Sequence, residues 1–264
     1  MFKINMVDYL KKLNSHPRDE FIVFDEEPHI YYVHGKAAKT SVTTLIHHYF
    51  PKFDADKIID KMQNSRNWKK NKYYPKTKEE IKEMWKKTGD EACEKGTYMH
   101  KTIELFYNGT DDETNTTEEY KMFKNFQNDI GKKFKPYRTE WEVYYEEYDL
   151  AGSIDMIYEN EDGTLSIYDW KRSKEIALDN SYGEKGLYPL EKLPHCNYVH
   201  YSLQLNTYKH ILETKYGKKI KDLYLVCMHP NNSNYICYEA LDLQDEVKLL
   251  LEDYKNKKTK EQHD

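Results

Sequence analysis

The sequence predicts an α/β (α+β) fold, a central mixed β-sheet flanked by helices with a helical extension at the N-terminus. Three observations lead there. Residues 150–174 read as two strands of alternating apolar residues joined by Glu161, Asp162 and Gly163, and an Asp-Gly turn between such runs signals a hairpin. Helical spacing of apolar residues brackets this hairpin, at 118–130 before it and 198–216 after it. Two further apolar strands follow at 222–228 and 235–241, so strands and helices are interleaved.

Taken in order, residues 21–33 form two short strands around a turn at Asp25, Glu26, Glu27 and Pro28. Ser41 caps a short helix that runs through Tyr49 and stops at Pro51. His47 and His48 are adjacent and so point to different helix faces, which speaks against a shared metal role. Residues 54–63 are helical. The stretch Trp68, Lys69, Lys70, Asn71, Lys72, Tyr73, Tyr74, Pro75 interleaves basic and aromatic residues. Lysines can neutralise phosphates and flat rings can stack on unpaired bases. A solvated loop in a chain rich in Lys, Asn and Tyr has the same composition, so both readings stand.

Thr77 and Glu80 make a capping-box pattern ahead of Ile81, Met84 and Trp85 at helical spacing. This helix is expected to break near Gly89 and to resume through His100 to Tyr107, with Asn108 and Gly109 closing it. A polar loop to Thr117 leads to the helix at 118–130, whose inner face is Tyr120, Phe123, Phe126 and Ile130. Residues 137–145 alternate as a strand that carries Glu140 and Glu142. Residues 181–197 contain Gly and Pro and read as the longest loop. A last amphipathic helix at 243–254 precedes a Lys-rich tail expected to be disordered.

With 38% hydrophobic residues in 264, the core must draw on the 25 Tyr and 4 Trp as well as on aliphatic side chains. The net charge of −5 argues at first against a nucleic-acid protein. Residues 61–87, however, hold ten Lys/Arg and three Glu, about +7, which leaves about −12 elsewhere. There is no run of eighteen apolar residues and no charged-then-apolar start. An intracellular protein without a membrane span or secretory signal is therefore expected. Cys93, Cys196, Cys227 and Cys237 lack C-x-x-C spacing, which favours free, mostly buried thiols over a disulfide framework or a four-Cys metal centre.

The chemistry concentrates in the hairpin. Asp155 lies on its first strand, while Asp169 and Lys171, two apart on the second, leave the same sheet face. Two acids and a lysine converging on one face are unfavourable to bury unless they bind something. Carboxylate oxygens suit Mg²⁺ or Mn²⁺. A surface hairpin with scattered charges is the competing reading, but Asp169 interrupts an otherwise apolar run. His100, four residues before Glu104 on a predicted helix, reads by itself as a packed or surface histidine.

Four motifs together resemble the PD-(D/E)xK nuclease superfamily and, within it, the RecB-like exonuclease branch. Gly96-Thr97-Tyr98-Met99-His100 resembles that branch's helical histidine motif, and Gly152-Ser153-Ile154-Asp155 its Gly-x-x-Asp strand. Asp169-Trp170-Lys171 resembles its Asp-x-Lys signature, and Gln204 with Tyr208 its Gln-x-x-x-Tyr helix. Each is weak alone. In this order and on these elements they are strong, and they span about 113 of the 264 residues.

The resemblance implies a restriction-endonuclease-like core at 91–256, after a strand hairpin and basic helical subdomain at 1–90 and before a tail at 257–264. It implies that His100, Asp155, Asp169 and the carbonyl of Trp170 hold one or two Mg²⁺ or Mn²⁺ ions. Lys171 would orient or deprotonate the attacking water, or offset negative charge. Glu140 stands where the family places a further acid, with Glu142 as a rival. Gln204 and Tyr208 would meet the nucleic-acid backbone or an end base, and Lys69, Lys70, Lys72 and Tyr73 are further candidate contacts. Some relatives carry a four-Cys iron–sulfur cluster with three clustered C-terminal cysteines. Cys196, Cys227 and Cys237 are too far apart for that pattern, so no cluster is expected. The activity expected is a metal-dependent DNA exonuclease acting on single strands or free ends in replication, repair or recombination. A structure-specific endonuclease and an inactive DNA-binding module are the alternatives, the second disfavoured by the intact Asp155, Asp169 and Lys171.

Overall fold

The computed structural model describes residues 8–261, which divide into two compact units. One is Lys52–Tyr98; the other joins the residues up to Pro51 with those from Met99 onward. The strands at 21–33 and the short helix α2 (Val42–His47), which the sequence groups into 1–90, thus belong to the larger unit. Residues 1–7 of that segment lie outside the described residues.

In the larger unit, β1 (Ile22–Asp25), β2 (Ile30–Val33) and β3 (Lys36–Ala37) form a small antiparallel sheet. The central sheet contains β4 (Thr40–Ser41), β5 (Lys135–Tyr145), β6 (Leu150–Glu159), β7 (Leu165–Lys171), β8 (Ile220–Cys227) and β9 (Ile236–Glu239). Its order is β4-β6-β7-β8-β9, and β5 pairs with β6. The sheet is mixed: β5–β6, β6–β7 and β8–β9 are antiparallel, whereas β4–β6 and β7–β8 are parallel. A parallel step needs a crossover, and the chain between β7 and β8 supplies it with α6 (Asn197–Lys215). The Asp-Gly turn of the hairpin forms as its residues require. Gly163 takes φ 78°, and Asp162 Oδ1 accepts the Thr164 amide at 3.0 Å.

Strand alternation sorts β7 between two cores. Leu165 and Ile167 pack with Val199, Leu203 and Ile211 of α6. Tyr168 and Trp170 pack with Met99 and Ile103 of α4 (Lys78–Tyr107) and with Phe123 and Phe126 of α5 (Glu118–Asp129). Asp169 and Lys171 continue the first of these faces, which puts them on the α6 side.

The sheet opens where these residues sit. β6 pairs with β7 only from Met156–Tyr168 to Glu159–Leu165, and β4 meets β6 only at Leu150 and Ala151. β7 continues beyond that point along β8 as far as Lys171. Asp155 and Asp169 are therefore the first residues past the last β6–β7 pair, one on each side of the opening.

Helix α4 begins with the predicted capping box: the Thr77 amide donates to Glu80 Oε2 at 2.7 Å, and the Glu80 amide to Thr77 Oγ1 at 3.2 Å. It does not break at Gly89. An exposed helical glycine costs only about 0.5–1 kcal/mol relative to alanine, too little to interrupt a long cooperative helix. The last helix, α7 (Gln244–Glu261), also outruns its prediction and takes in residues 257–261 of the expected tail. Lys257 pairs with Asp253 and Lys258 with Asp149, so these lysines have anchors that their local composition hides. Residues 262–264 of that tail lie outside the described residues. The short elements α1 (Tyr9–Leu13), β3 and β4 were not predicted. No described helix is long and apolar enough to cross a membrane.

The smaller unit contains α3 (Ala55–Gln63), a 3₁₀ turn at Trp68–Lys70 and the first part of α4. Lys78 bridges Asp56 and Asp60, and Lys82 pairs with Asp56, which ties α3 to α4. All four cysteines are free thiols: Cys93 exposed, Cys196 and Cys227 buried, Cys237 half-buried.

Gly152 on β6 fixes the seat of α6. A Cβ there would lie 2.8 Å from both Cε1 and the hydroxyl oxygen of buried Tyr208. Gly152→Ala should therefore lower unfolding stability by about 1–3 kcal/mol in urea titrations, the usual range for an overpacked core. An unchanged midpoint would mean that the ring moves aside freely.

Candidate active site

Three strands and two helices bring the titratable groups together at the opening of the sheet. Glu140 on β5 faces Asp155 on β6, between the pairs Thr139–Met156 and Trp141–Ile154. Like charges directly opposite one another destabilise a sheet. Glu140 also has φ 41°, a left-handed conformation that costs a non-glycine residue about 1–3 kcal/mol and recurs at functional sites. Its neighbours hold it there. Arg138 Nη1 lies 2.8 Å from Asp19 Oδ2, and Trp141 Nε1 donates to Asp19 Oδ1 at 2.8 Å. One half-buried carboxylate thus grips β5 on both sides of the kink.

His100 projects from α4. Its Nε2 lies 2.9 Å from the Trp170 carbonyl, which can only accept, so Nε2 carries a proton. That bond turns Nδ1 toward Glu140 Oε1 and Asp155 Oδ2, each at 3.6 Å. Asp155 Oδ2 also accepts the Trp170 amide at 2.8 Å, where a continuous β6–β7 ladder would have placed a backbone carbonyl. Ser153 Oγ donates to Glu140 Oε2 at 3.1 Å.

Lys171 Nζ stands 2.7 Å from Asp169 Oδ2 and 3.4 Å from Gln204 Oε1 on α6. The first contact is an ion pair that misses hydrogen-bonding direction, so buried Asp169 Oδ2 has charge compensation but no directed hydrogen bond. Gln204 Nε2 makes long contacts with Tyr208 Oη at 3.4 Å and Thr43 Oγ1 at 3.5 Å. Of the two acids predicted on β5, Glu140 joins this group, while Glu142 pairs with Lys11 at 3.4 Å.

Burial raises the carboxyls of Asp155 and Asp169 above the ordinary range, and His100 and Lys171 pull them back. Burial opposes the charge of Lys171, but Asp169 and Asp155 hold its pKa above the usual lysine value. Burial likewise lowers His100, yet Asp155 and then Glu140 outweigh it and push the imidazole up to about 9. Three carboxylates here draw on every nearby positive charge.

Such a donor set fits a divalent cation. His100, Glu140 and Asp155 each offer a ligand atom, all within 4.8 Å of one another, and among the described residues this is the one such His/Cys/Asp/Glu group. Asp169, whose buried Oδ2 meets the Lys171 ammonium at 2.7 Å without a directed hydrogen bond, is a further carboxylate beside this group. A ligating histidine commonly donates its other N–H to a carbonyl, as His100 does to Trp170.

The sequence profile of the PD-(D/E)XK nuclease superfamily matches residues 70–263. This chain belongs to that superfamily. Members are metal-dependent nucleases, which agrees with the acidic and imidazole donors described above. A solved structure titled "Crystal structure of SSO0001" is 18% identical, the match covering 52% of this chain and 55% of that one, with a TM-score of 0.27. No curated protein matches.

Of the remaining predicted residues, Tyr208 is buried against Gly152, while Lys69, Lys70, Lys72 and Tyr73 belong to the smaller unit. The three lysines are exposed, and the Tyr73 hydroxyl accepts Trp85 Nε1–H at 2.7 Å. Sequence reading missed Tyr201, whose ring faces Lys171, and Tyr31, whose pKa is raised by burial and then by Glu140, Glu142 and Asp155. Tyr201 stands three residues before Gln204 on one helix, a usable signal; Tyr31 and Thr43 left none.

The raised pKa of His100 has a measurable consequence. Its proton stabilises the cation-free fold fully below about pH 6.5, the ordinary histidine value, and this contribution is lost as pH rises toward about 9. In chelator, the urea midpoint of the wild type should fall across that window more steeply than that of His100→Gln. Parallel declines would remove His100 from the charge cluster.

Proposed function

We propose that this nuclease is a metal-dependent DNA exonuclease of the RecB-like branch, hydrolysing phosphodiester bonds at the ends of single-stranded DNA in replication, repair or recombination. The observation that supports the branch most directly is the contact of Gln204 with Lys171, because it joins the Gln-x-x-x-Tyr helix to the Asp-x-Lys strand. Tyr208, seated on Gly152, joins the same helix to the Gly-x-x-Asp strand.

In this reading His100 Nδ1, Glu140, Asp155 and Asp169 hold Mg²⁺ or Mn²⁺. The Trp170 carbonyl acts through His100, whose ring it orients. The bound cation supplies Lewis acidity to a phosphate oxygen and lowers the pKa of a water molecule. Lys171 offsets the negative charge that grows on the phosphate in the transition state. With Asp169 and Asp155 favouring its protonated form, an electrostatic role suits it better than that of a base. Gln204 accepts from Lys171 and so restrains its ammonium. Exposed Lys69, Lys70 and Lys72 supply phosphate contacts, and Tyr73 lies among aromatic residues that can stack on unpaired bases.

Hydrolysis should require Mg²⁺ or Mn²⁺ and stop in EDTA. Asp155→Asn and Asp169→Asn should each reduce turnover by at least about 100-fold, while circular dichroism shows the fold retained. Near-normal turnover in either variant would displace the proposed site.

The requirement for an end is tested on end-labelled linear and covalently closed single-stranded DNA. Linear strands should be degraded and closed circles spared. Rapid cleavage of circles would replace the exonuclease with a structure-specific endonuclease, and binding without cleavage of any substrate would leave a DNA-binding module.

Replacing Lys69, Lys70 and Lys72 together by Ala should weaken DNA binding and flatten its log–log salt dependence. The slope should fall by about 2, at about 0.7 per phosphate contact on single strands. An unchanged slope would return that segment to a solvated loop.

A further inference from the structure

Lys171 is the positive group in contact with Asp169, so what aims its ammonium bears on the reaction. An ammonium has three N–H donors and no acceptor. Asp169 is the closest partner of Lys171, at 2.7 Å, but that contact misses hydrogen-bonding direction. Two groups on α6 take up the remaining directions. Gln204 Oε1 accepts at 3.4 Å, and the centre of the Tyr201 ring lies 4.6 Å from Nζ. Tyr201 and Gln204, three apart on one helix, present their side chains to the same face.

We infer that Tyr201 is a positioning residue for Lys171. Its ring draws the ammonium off the line of a hydrogen bond to Asp169, so the two meet at 2.7 Å as an ion pair without that direction. This pull is physically reasonable, because an aromatic face attracts a desolvated ammonium and Lys171 is largely shielded from water. Were the ring absent, the nearest strong attraction would be Asp169, and a directed Lys171–Asp169 hydrogen bond would form. The ammonium would then be held on Asp169 and lost to the phosphate. The inference rests on the nuclease reading above, with Lys171 in the role given there.

The test compares Tyr201→Phe, which keeps the ring face, with Tyr201→Leu, which keeps bulk without it. With a linear single-stranded oligonucleotide and saturating Mg²⁺, Tyr201→Leu should lower kcat roughly 2- to 30-fold, the range that a cation–π contact corresponds to. KM should stay within about twofold, since Gln204 and Tyr208 remain in place. Tyr201→Phe should keep kcat within about twofold of wild type. Equal losses in Phe and Leu would assign the hydroxyl a direct role, and equal retention would make Tyr201 packing only; either result overturns the inference.

A second readout does not need turnover. In ¹³C-lysine-labelled protein, the Lys171 CεH₂ resonance, assigned by its loss in Lys171→Arg, should be shifted upfield by the ring. The shift should persist in Phe and vanish in Leu, with Tyr201→Met serving if Leu does not fold. An unshifted wild-type resonance would remove the contact itself. If the wild type cleaves nothing with Mg²⁺ or Mn²⁺, the nuclease reading fails, and the resonance still decides whether Tyr201 aims Lys171.

Discussion

Two carboxylates face one another where β6 and β7 cease to pair, and the surrounding structure depends on keeping that gap open. Asp155 helps to do so by accepting the Trp170 amide, a donor that a continuous ladder would have used. The same Trp170 is pinned by its ring, which meets Phe123 and Phe126 edge-on within the second core. A hydrophobic layer therefore fixes the backbone to which an acid on the opposite strand is bound. Packing on one face sets the position of charge on the other.

Repulsion among Glu140, Asp155 and Asp169 is relieved by two different means. The first is anchoring of the backbone. Asp19 grips Arg138 and Trp141, which flank Glu140 and hold its strained conformation opposite Asp155. The second is electrostatic, through His100 and Lys171, both of which are more basic here than in water. The imidazole is the adjustable member of this pair. Its proton and a divalent cation answer the same need, so loading the site and deprotonating His100 are linked events.

Much of this was legible in the sequence. Asp155, Asp169 and Lys171 stood out because strand alternation and an Asp-Gly turn placed them, and because an acid inside an apolar run has few bland explanations. The choice between Glu140 and Glu142 was not legible. It depends on a backbone angle and on Lys11, about 130 residues away in sequence. Tyr201 was one tyrosine among 25, and only its spacing of three from Gln204 on the same helix set it apart. The break expected at Gly89 gave too much weight to one residue in a 30-residue helix. At residues 257–261 the helix was hidden for the opposite reason: Lys257 and Lys258 look solvated locally, but their acidic partners lie one turn back at Asp253 and far off in the chain at Asp149.

Gly152 and Tyr208 belong to different motifs, 56 positions apart, yet they occupy a single space. Neither is free to drift alone. A side chain at 152 would press on the ring at 208, and any retreat of that ring would loosen the helix that carries Gln204 against Lys171. The missing methyl group on one strand therefore acts as a seat for the helix, and the acidic strands and their lysine are held in register through a space that nothing else fills.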